Sequence, residues 1–218
     1  MSALPSAGEP AEEPPDHRRA TPRTVTVTME HGDGMEQLHH PRSARSPERA
    51  RLVDGLAGRI LELGSADGVK LTRYPATVTE IVAVEPDSTL ARLAASVAPA
   101  ATVVLGGFDR LPFPSGGFDA VVCSLVLCTA PRPDLTMREI ARVLRPGGSL
   151  RLYEHVRSAN PVTAFAEDLA TPLWWRVSGG CHPNRDTIAA VESAGLVVES
   201  LERFRHSHVT HVLGVARR

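Results

Sequence analysis

G-R-I-L-E-L-G-S-A-D-G-V-K-L-T-R-Y-P-A-T-V-T-E-I-V-A-V-E-P, residues 58–86, decides the fold. It divides into a short apolar strand (Arg59 to Leu63), a small-residue turn (Gly64 to Gly68), a helical segment broken at Pro75 and a second strand (Ile81 to Val84) closed by Glu85. An apolar strand, a glycine turn and a crossover to another apolar strand open a parallel α/β sheet. Glycine lets backbone N–H groups approach a ligand closely because no side chain intervenes. An acid directly after the second strand stands where a ribose diol donates two hydrogen bonds to a carboxylate. The stretch therefore has the chemistry of a nucleoside half-site.

A dinucleotide needs a G-x-G-x-x-G turn packed on a helix N-terminus. Here the small residues are Gly64, Ala66 and Gly68, and Asp67 places a negative charge beside the turn. That charge disfavours a pyrophosphate and tolerates a sulfonium ligand carrying an ammonium group. On its own the turn serves equally as a ligand loop or as a plain strand–helix connection.

The chain has 218 residues, enough for one substantial core, with 24 Lys+Arg against 25 Asp+Glu. Such a balance gives no reason to expect nucleic acid or an anionic membrane as partner. Lys70 is the sole lysine. Cys123, Cys128 and Cys181 form no C-x-x-C pair, and with no secretory signal or long apolar run a reducing cytoplasm is expected. No metal is expected: His39 and His40 fall in a tail, and Cys181-His182 is adjacent rather than at ligand spacing.

Residues 1–45 are proline-rich and poor in apolar positions, so they are expected to form a largely disordered tail, with Gly34 to His40 as a candidate lid. Residues 46–218 form the expected domain. Ser46 caps a helix from Pro47 to Leu56 whose Leu52, Val53 and Leu56 face the first strand. Asp87 or Ser88 caps a helix with Leu90, Leu93, Ala94 and Val97 inward, ended by Pro99. Thr102 to Leu105 is a strand, and A-V-V-C-S-L-V-L (120–127) is a central one covered on both faces. A helix from Asp134 to Leu144, with Leu135, Ile140, Val143 and Leu144 inward, is stopped by R-P-G-G before a fifth strand, Ser149 to Tyr153. Asn184 caps a helix over Arg185 to Ala194 with Ile188 and Val191 inward, and Gly195 is its left-handed exit. Val197 to Phe204 and Val209 to Ala216 complete seven strands as an antiparallel hairpin. Residues 156–180 carry both tryptophans beyond the carboxyl end of a strand, where open α/β sheets bind ligands. Aromatics there suit an apolar substrate pocket, and they suit equally a cover for the helix layer.

I-L-E-L-G-S-A-D-G (60–68), V-E-P-D (84–87), L-P-F-P-S-G-G-F-D-A-V-V (111–122) and E-I-A-R-V-L-R-P-G-G (139–148) together resemble class I S-adenosylmethionine-dependent methyltransferases. Within that class the likeness is to the methyltransferase type 11 domain, over roughly residues 50–218. S-L-V-L-C-T (124–129), L-Y-E-H-V (152–156), G-G-C-H-P-N-R-D-T (179–187) and H-V-L-G-V-A (211–216) resemble the branch holding the animal thiol methyltransferases and bacterial UbiE-like relatives. The animal proteins carry an N-terminal membrane anchor; no such apolar segment is found here, so membrane attachment is not expected.

The resemblance implies a seven-stranded Rossmann-like sheet, mostly parallel with the last strand antiparallel, and S-adenosylmethionine as cofactor. It implies that Gly64 and Gly68, with Glu62 and Ala66, surround the methionine moiety, that Glu85 beside Pro86 holds the ribose, and that Phe108 and Asp109 frame the adenine. Ser124 and Leu125 would line the cofactor at the end of the fourth strand, and His155 would stand where the methyl acceptor enters. Ala66 replaces the middle glycine of the family's loop, Lys70 an asparagine common among relatives, and Gly107 an aspartate near the adenine; a tyrosine-containing lid helix is missing.

Methyl transfer from a sulfonium expels a neutral thioether, so the enzyme mainly aligns the partners and makes the acceptor nucleophilic. A thiol is partly ionised near neutral pH. A hydroxyl or amine acceptor needs a base, for which His155 is the candidate and Glu154 the weaker choice. Trp174, Trp175, Cys181 and His182 are candidate pocket residues, while Cys123 and Cys128 are expected in the core. The chain is thus expected to methylate a small apolar or aromatic molecule, a thiol among the options, as a monomer or weak homodimer. A nicotinamide oxidoreductase is excluded by the lack of a Y-x-x-x-K pair, and a base-flipping nucleic-acid enzyme by the lack of basic grooves. The alternative is a catalytically degraded relative kept as a cofactor- or small-molecule-binding module.

Overall fold

The computed structural model describes residues 47–206 and 209–218. The expected tail, its lid segment and the Ser46 cap lie outside the described residues. Seven strands form one sheet in the order β3-β2-β1-β4-β5-β7-β6. These are β1 (Gly58–Leu63), β2 (Val78–Glu85), β3 (Thr102–Leu105), β4 (Phe118–Ser124), β5 (Leu144–His155), β6 (Val197–His206) and β7 (Val209–Arg217). β1 to β5 pair in parallel, and β7 runs antiparallel between β5 and β6. The strand order reverses between β1 and β4, which is where such sheets open a ligand crevice at their carboxyl ends.

The central strands are apolar because both faces are covered. Ile60, Leu61 and Leu63 of β1 and Val121, Val122 and Cys123 of β4 have no exposed surface, and each large aliphatic among them contributes about 1.5–3 kcal/mol by leaving water. One face carries α3 (Pro133–Val143) and α5 (Thr187–Ser193), meeting Leu61, Leu63 and Val121 through Met137, Ile140, Val143 and Val191. On the other face Leu52, Val53 and Leu56 pack on Ile60, Ala120, Val122 and Tyr153.

Several elements differ from the sequence reading. The first helix, α1, spans only Pro47–Arg51; Leu52, Val53 and Asp54 instead bond back three residues, and the tightened turn still buries the apolar trio. In α2 (Ser88–Val97), capped by Asp87 as expected, the buried face is Ala91 and Ala94, whereas Leu93 and Val97 are exposed. Gly68 explains this, since a Cβ there would lie 2.6 Å from Ala94 Cα. The helix is so close to the turn that only small residues fit between them. R-P-G-G does not lie outside the strand: β5 runs from Leu144, pairing Phe118 with Leu144 and Ala120 with Ser149 across a bulge. Thr136 and Met137 are buried in α3 while Leu135 is half-buried. α5 is shorter than expected, because Asp186 rather than Asn184 accepts from Ala189 N and caps it; Asn184 donates to Asp168 instead. Residues 161–177, read only as irregular, form a 17-residue helix, α4 (Pro161–Val177), with Asn160 accepting from Val162 N and Thr163 N.

Gly68 has φ 76° and meets the Ala94 backbone. Gly68→Ala is expected to destabilise the protein by about 2–4 kcal/mol through both the left-handed strain and the overlap, read as a lower denaturant midpoint with unchanged slope.

Candidate functional site

The carboxyl ends of β1, β2, β4 and β5 bring two sets of side chains to one edge of the sheet. The first surrounds the turn after β1. Gly64, Ala66 and Gly68 all have positive φ, and Ala66, at φ 49°, accepts the left-handed conformation that a glycine takes without strain. Its N–H donates to Glu85 Oε2 at 2.9 Å, and Asp87 N donates to Oε1 at 3.2 Å. Glu85 is thus buried, fixed by backbone bonds, and keeps acceptor capacity on both oxygens. The Ser65 hydroxyl is buried without a hydrogen-bond partner, and Gly64 leaves no room for a side chain, a Cβ there falling 2.8 Å from Val126 Cγ2. A turn of left-handed residues, an orphaned hydroxyl and a fixed carboxylate fit a nucleoside ligand.

The other candidate residues of this half are placed less uniformly. Glu62 has no exposed surface; its carboxylate accepts from Tyr74 Oη at 2.6 Å and pairs with Lys70 Nζ at 2.9 Å. Burial beside that carboxylate drives the Tyr74 phenol well above its usual range. The sole lysine is thereby placed beneath the turn. Pro86 is exposed at the end of β2. Phe108 packs against the core and approaches the Gly64 position, whereas Asp109 is paired with Arg132. The Ser124 hydroxyl accepts from Arg49 Nε at 3.0 Å and Nη2 at 2.8 Å, and the guanidinium lies over the Tyr153 ring. Leu125 has φ 60° and ends β4 at that point, with its N–H donating to Tyr153 O. Arg49 was not a candidate from sequence, because nothing local marks a helical arginine as reaching a strand 75 residues away.

The second set is built on Glu154, which has no exposed surface. Its carboxylate accepts from Val126 N at 2.8 Å, Leu127 N at 3.0 Å and Cys128 N at 3.2 Å. Burial raises its pKa and these N–H bonds pull it back down. Glu154 organises the loop after β4. Next to it, His155 Nδ1 lies 3.0 Å from Cys181 Sγ. His182 N donates to Cys128 O at 2.8 Å, and Arg185 Nη1 donates to Leu127 O and Ala130 O, so the segment carrying Cys181 is tied to the loop carrying Cys128.

Cys128 is fully buried, as expected, yet it faces this cluster rather than only apolar neighbours. Its S–H donates to Cys181, and that bond, with His155 beside it, lowers the Cys181 thiol to about 5 against the opposing effect of burial. Cys128 is pushed well up by the same partnership. Cys181 carries the charge of the pair and Cys128 keeps the proton. A tautomer protonated on Nδ1 would donate to the Cys181 sulfur and keep the lone pair on Nε2.

Beside it, His211 pairs with His155 across β5 and β7, their ring centroids 4.4 Å apart, and stacks on Phe204. Burial lowers its pKa to about 4, so it is neutral at pH 7. This aromatic wall follows from the β5–β7 register, which sequence spacing does not contain. The expected tryptophan pocket is divided. Trp174 is half-buried with its indole nitrogen buried on the Cys181 side, where it helps lower that thiol, but Trp175 is half-exposed, and Val162, Phe165, Leu169 and Leu173 are 68–77% exposed on α4. Trp174, Cys181 and His182 gather beside the loop that carries Cys128, whereas Trp175 is half-exposed.

Residues 61–152 match the family described as a methyltransferase domain. Human thiol S-methyltransferase TMT1B is 32% identical over 161 residues, 69% of this chain and 66% of the relative. Residues 61–152 thus form a methyltransferase domain. Demethylmenaquinone methyltransferase of Mycobacterium tuberculosis is 33% identical over 138 residues, 62% of this chain and 58% of the relative. The chain therefore spans just under two thirds of the length of these curated relatives. Among solved structures, an S-adenosylmethionine dependent methyltransferase from Mesorhizobium loti superposes with a TM-score of 0.63 at 18% identity, covering 79% of this chain and 96% of that one. The [4+2]-cyclase SpnF superposes with a TM-score of 0.64 at 18% identity, covering 78% of this chain and 79% of that one. These two likenesses bear on the fold of the methyltransferase domain alone. No helix among the described residues is long and apolar enough to cross a membrane.

Titration of the thiolate ultraviolet absorbance is expected to show one cysteine ionising with an apparent pKa near 5. Cys128→Ala and His155→Ala should each move that transition upward, because each removes a donor to the thiolate.

Proposed function

We propose that this methyltransferase domain transfers the methyl group of S-adenosylmethionine to a small apolar thiol. The observation that carries the reading is the meeting, on one sheet edge, of a nucleoside half-site with a His155–Cys181 pair 3.0 Å apart on the strand two places away. The similarity to thiol S-methyltransferases favours a thiol over a quinone, through 69% of the chain rather than 62%.

In this reading Glu85 accepts from the two ribose hydroxyls, the Gly64–Gly68 turn surrounds the methionine end, Phe108 and Asp109 border the adenine, and Ser124 and Leu125 close the site beneath Arg49. S-Adenosylmethionine supplies an electrophilic methyl on sulfur. The protein's own work is alignment and deprotonation. The acceptor, held against Trp174 and His182, gives its proton to His155 Nε2; its sulfur attacks the methyl carbon in line as the C–S⁺ bond breaks, leaving a thioether product and S-adenosylhomocysteine. Binding of the cofactor without turnover would instead support the binding-module reading.

Calorimetric titration with S-adenosylhomocysteine tests the first half. Glu85→Ala should weaken binding at least tenfold, since each hydrogen bond to a charged group is worth about 1.5–3 kcal/mol; unchanged binding in a folded variant sinks the assignment. Transfer of labelled methyl to a small cysteine-like alkyl thiol, with a pKa of about 8.5, tests the second. His155→Gln should lower kcat by about 100-fold at pH 7. The deficit should shrink as the pH rises toward the thiol's own pKa of about 8.5, where the acceptor ionises without help.

A further inference from the structure

Cys128, His155 and Cys181 come from the loop after β4, the end of β5 and the segment after α4, and one ligand-capable atom of each lies within 4.8 Å of the other two. Two sulfurs and an imidazole nitrogen are the donors of thiophilic and borderline cations, whereas magnesium and calcium need oxygen. The nearby Glu154 carboxylate accepts from three backbone N–H groups and from the Cys128 thiol, so it orients that ligand rather than replacing it. We propose that Cys128, His155 and Cys181 form a binding site for a thiophilic divalent cation, with Zn²⁺ the first choice, that leaves one coordination position for an exogenous ligand.

Preorganisation is the main argument. Cys128 and Cys181 are both almost fully buried, and His155 is half-buried at the mouth. Glu154 holds the Cys128 backbone, the His182 N–H to Cys128 carbonyl bond holds the Cys181 segment beside it, and the Arg157 N–H to Arg185 carbonyl bond closes the same segment onto the end of β5. All three donors are therefore set by main-chain bonds rather than by mobile side-chain contacts. Bonds of about 2.0–2.3 Å around a tetrahedral cation put ligand atoms roughly 3.3–3.8 Å apart, inside the 4.8 Å that these three already span. Charge is compatible as well: cation binding displaces the thiol protons to leave two thiolates and a neutral imidazole. Arg185 is the cation nearby, and its Nη1 is engaged by Leu127 O and Ala130 O.

Three protein ligands around a tetrahedral cation leave a fourth position, as in catalytic rather than structural zinc sites. An acceptor thiol fits it, a statement that rests on the function proposed above. The thiol S–H proton passes to solvent as the metal–sulfur bond forms. A sulfur lone pair then forms the S–CH₃ bond while the sulfonium C–S⁺ bond breaks, and the neutral thioether, a weak ligand, leaves. With the cation in place His155 is a ligand, and the cation supplies the acidifying charge that a base supplies in its absence.

The test needs neither cofactor nor turnover, so it stands apart from the failure of the methyltransferase reading. The full chain, reduced and stripped of metal, is titrated with Zn²⁺ in competition with a chromogenic chelator, and with Co²⁺ to observe thiolate-to-cobalt charge transfer. Expected are one cation per chain, charge transfer from two sulfurs, and a loss of affinity on the order of 100-fold in Cys128→Ser and in Cys181→Ser. Circular dichroism and a cooperative denaturant transition report folding, with the alanine variants as replacements should serine disrupt the core. Absence of competition by the folded wild-type chain overturns the site, as does stoichiometric binding that survives the double Cys128→Ser/Cys181→Ser change. For the open position, a small aryl thiol added to the Co²⁺ form should strengthen the charge-transfer absorption; an unchanged spectrum overturns that part.

Discussion

The end of β5 and the loop after β4 depend on one buried carboxylate. Glu154 sits at the end of a central strand without access to water, a placement that is costly for a charge unless its lone pairs are filled. Here they are filled by three consecutive N–H groups of the loop after β4. The arrangement satisfies both parties, since a loop turning inside the protein would otherwise leave those donors orphaned. It also fixes where Leu125 ends the strand and where Cys128 points. Removing the carboxylate would release the loop, and with it the cysteine cluster and the base of the cofactor crevice.

The cofactor side follows a different constraint, that of close approach. Gly68 rests against the backbone of Ala94 and Gly64 against Val126, so the turn is held between α2 and the loop that Glu154 anchors. The two halves therefore share a wall at Val126. Ala66 accepts a left-handed backbone in the middle of this turn, and its N–H reaches Glu85 only because it does so. Strain of about 1–2 kcal/mol at one residue is exchanged for a fixed carboxylate at the ligand position.

The sheet, its seven strands, the closing hairpin and the glycine turn were legible in the sequence, because buried parallel strands leave uninterrupted apolar runs and turns leave glycines. Asp87 as a cap and Gly195 as an exit were legible for the same local reason. The face of α2 was not, because helical spacing ranks residues by hydrophobicity, whereas the approach of Gly68 selects them by size. Nor was the partnership of Cys128 with Cys181 and His155. Motif rules for metal and nucleophile sites rest on short spacings, and these residues are joined only through backbone bonds between distant loops. The tryptophans illustrate the limit of composition: adjacent in sequence, they lie about 100° apart on a helix, so one turns inward and its neighbour outward.

The position of β7 bears on how the molecule is made. Because this strand is inserted between β5 and β6, the edge of β5 stays open until residues 209–217 have been synthesised. The half of the sheet from β1 to β5 assembles from contacts already available on a growing chain, but the wall that sets His211 against His155 cannot. Nascent chains emerge amino-terminus first, and an unpaired central strand with apolar faces is the kind of surface that recruits other chains. Synthesis thus passes through a stage with β1 to β5 assembled and the His155–His211 wall still missing. Chaperone occupancy and aggregation during translation should both peak within that interval, and both should end when the hairpin docks.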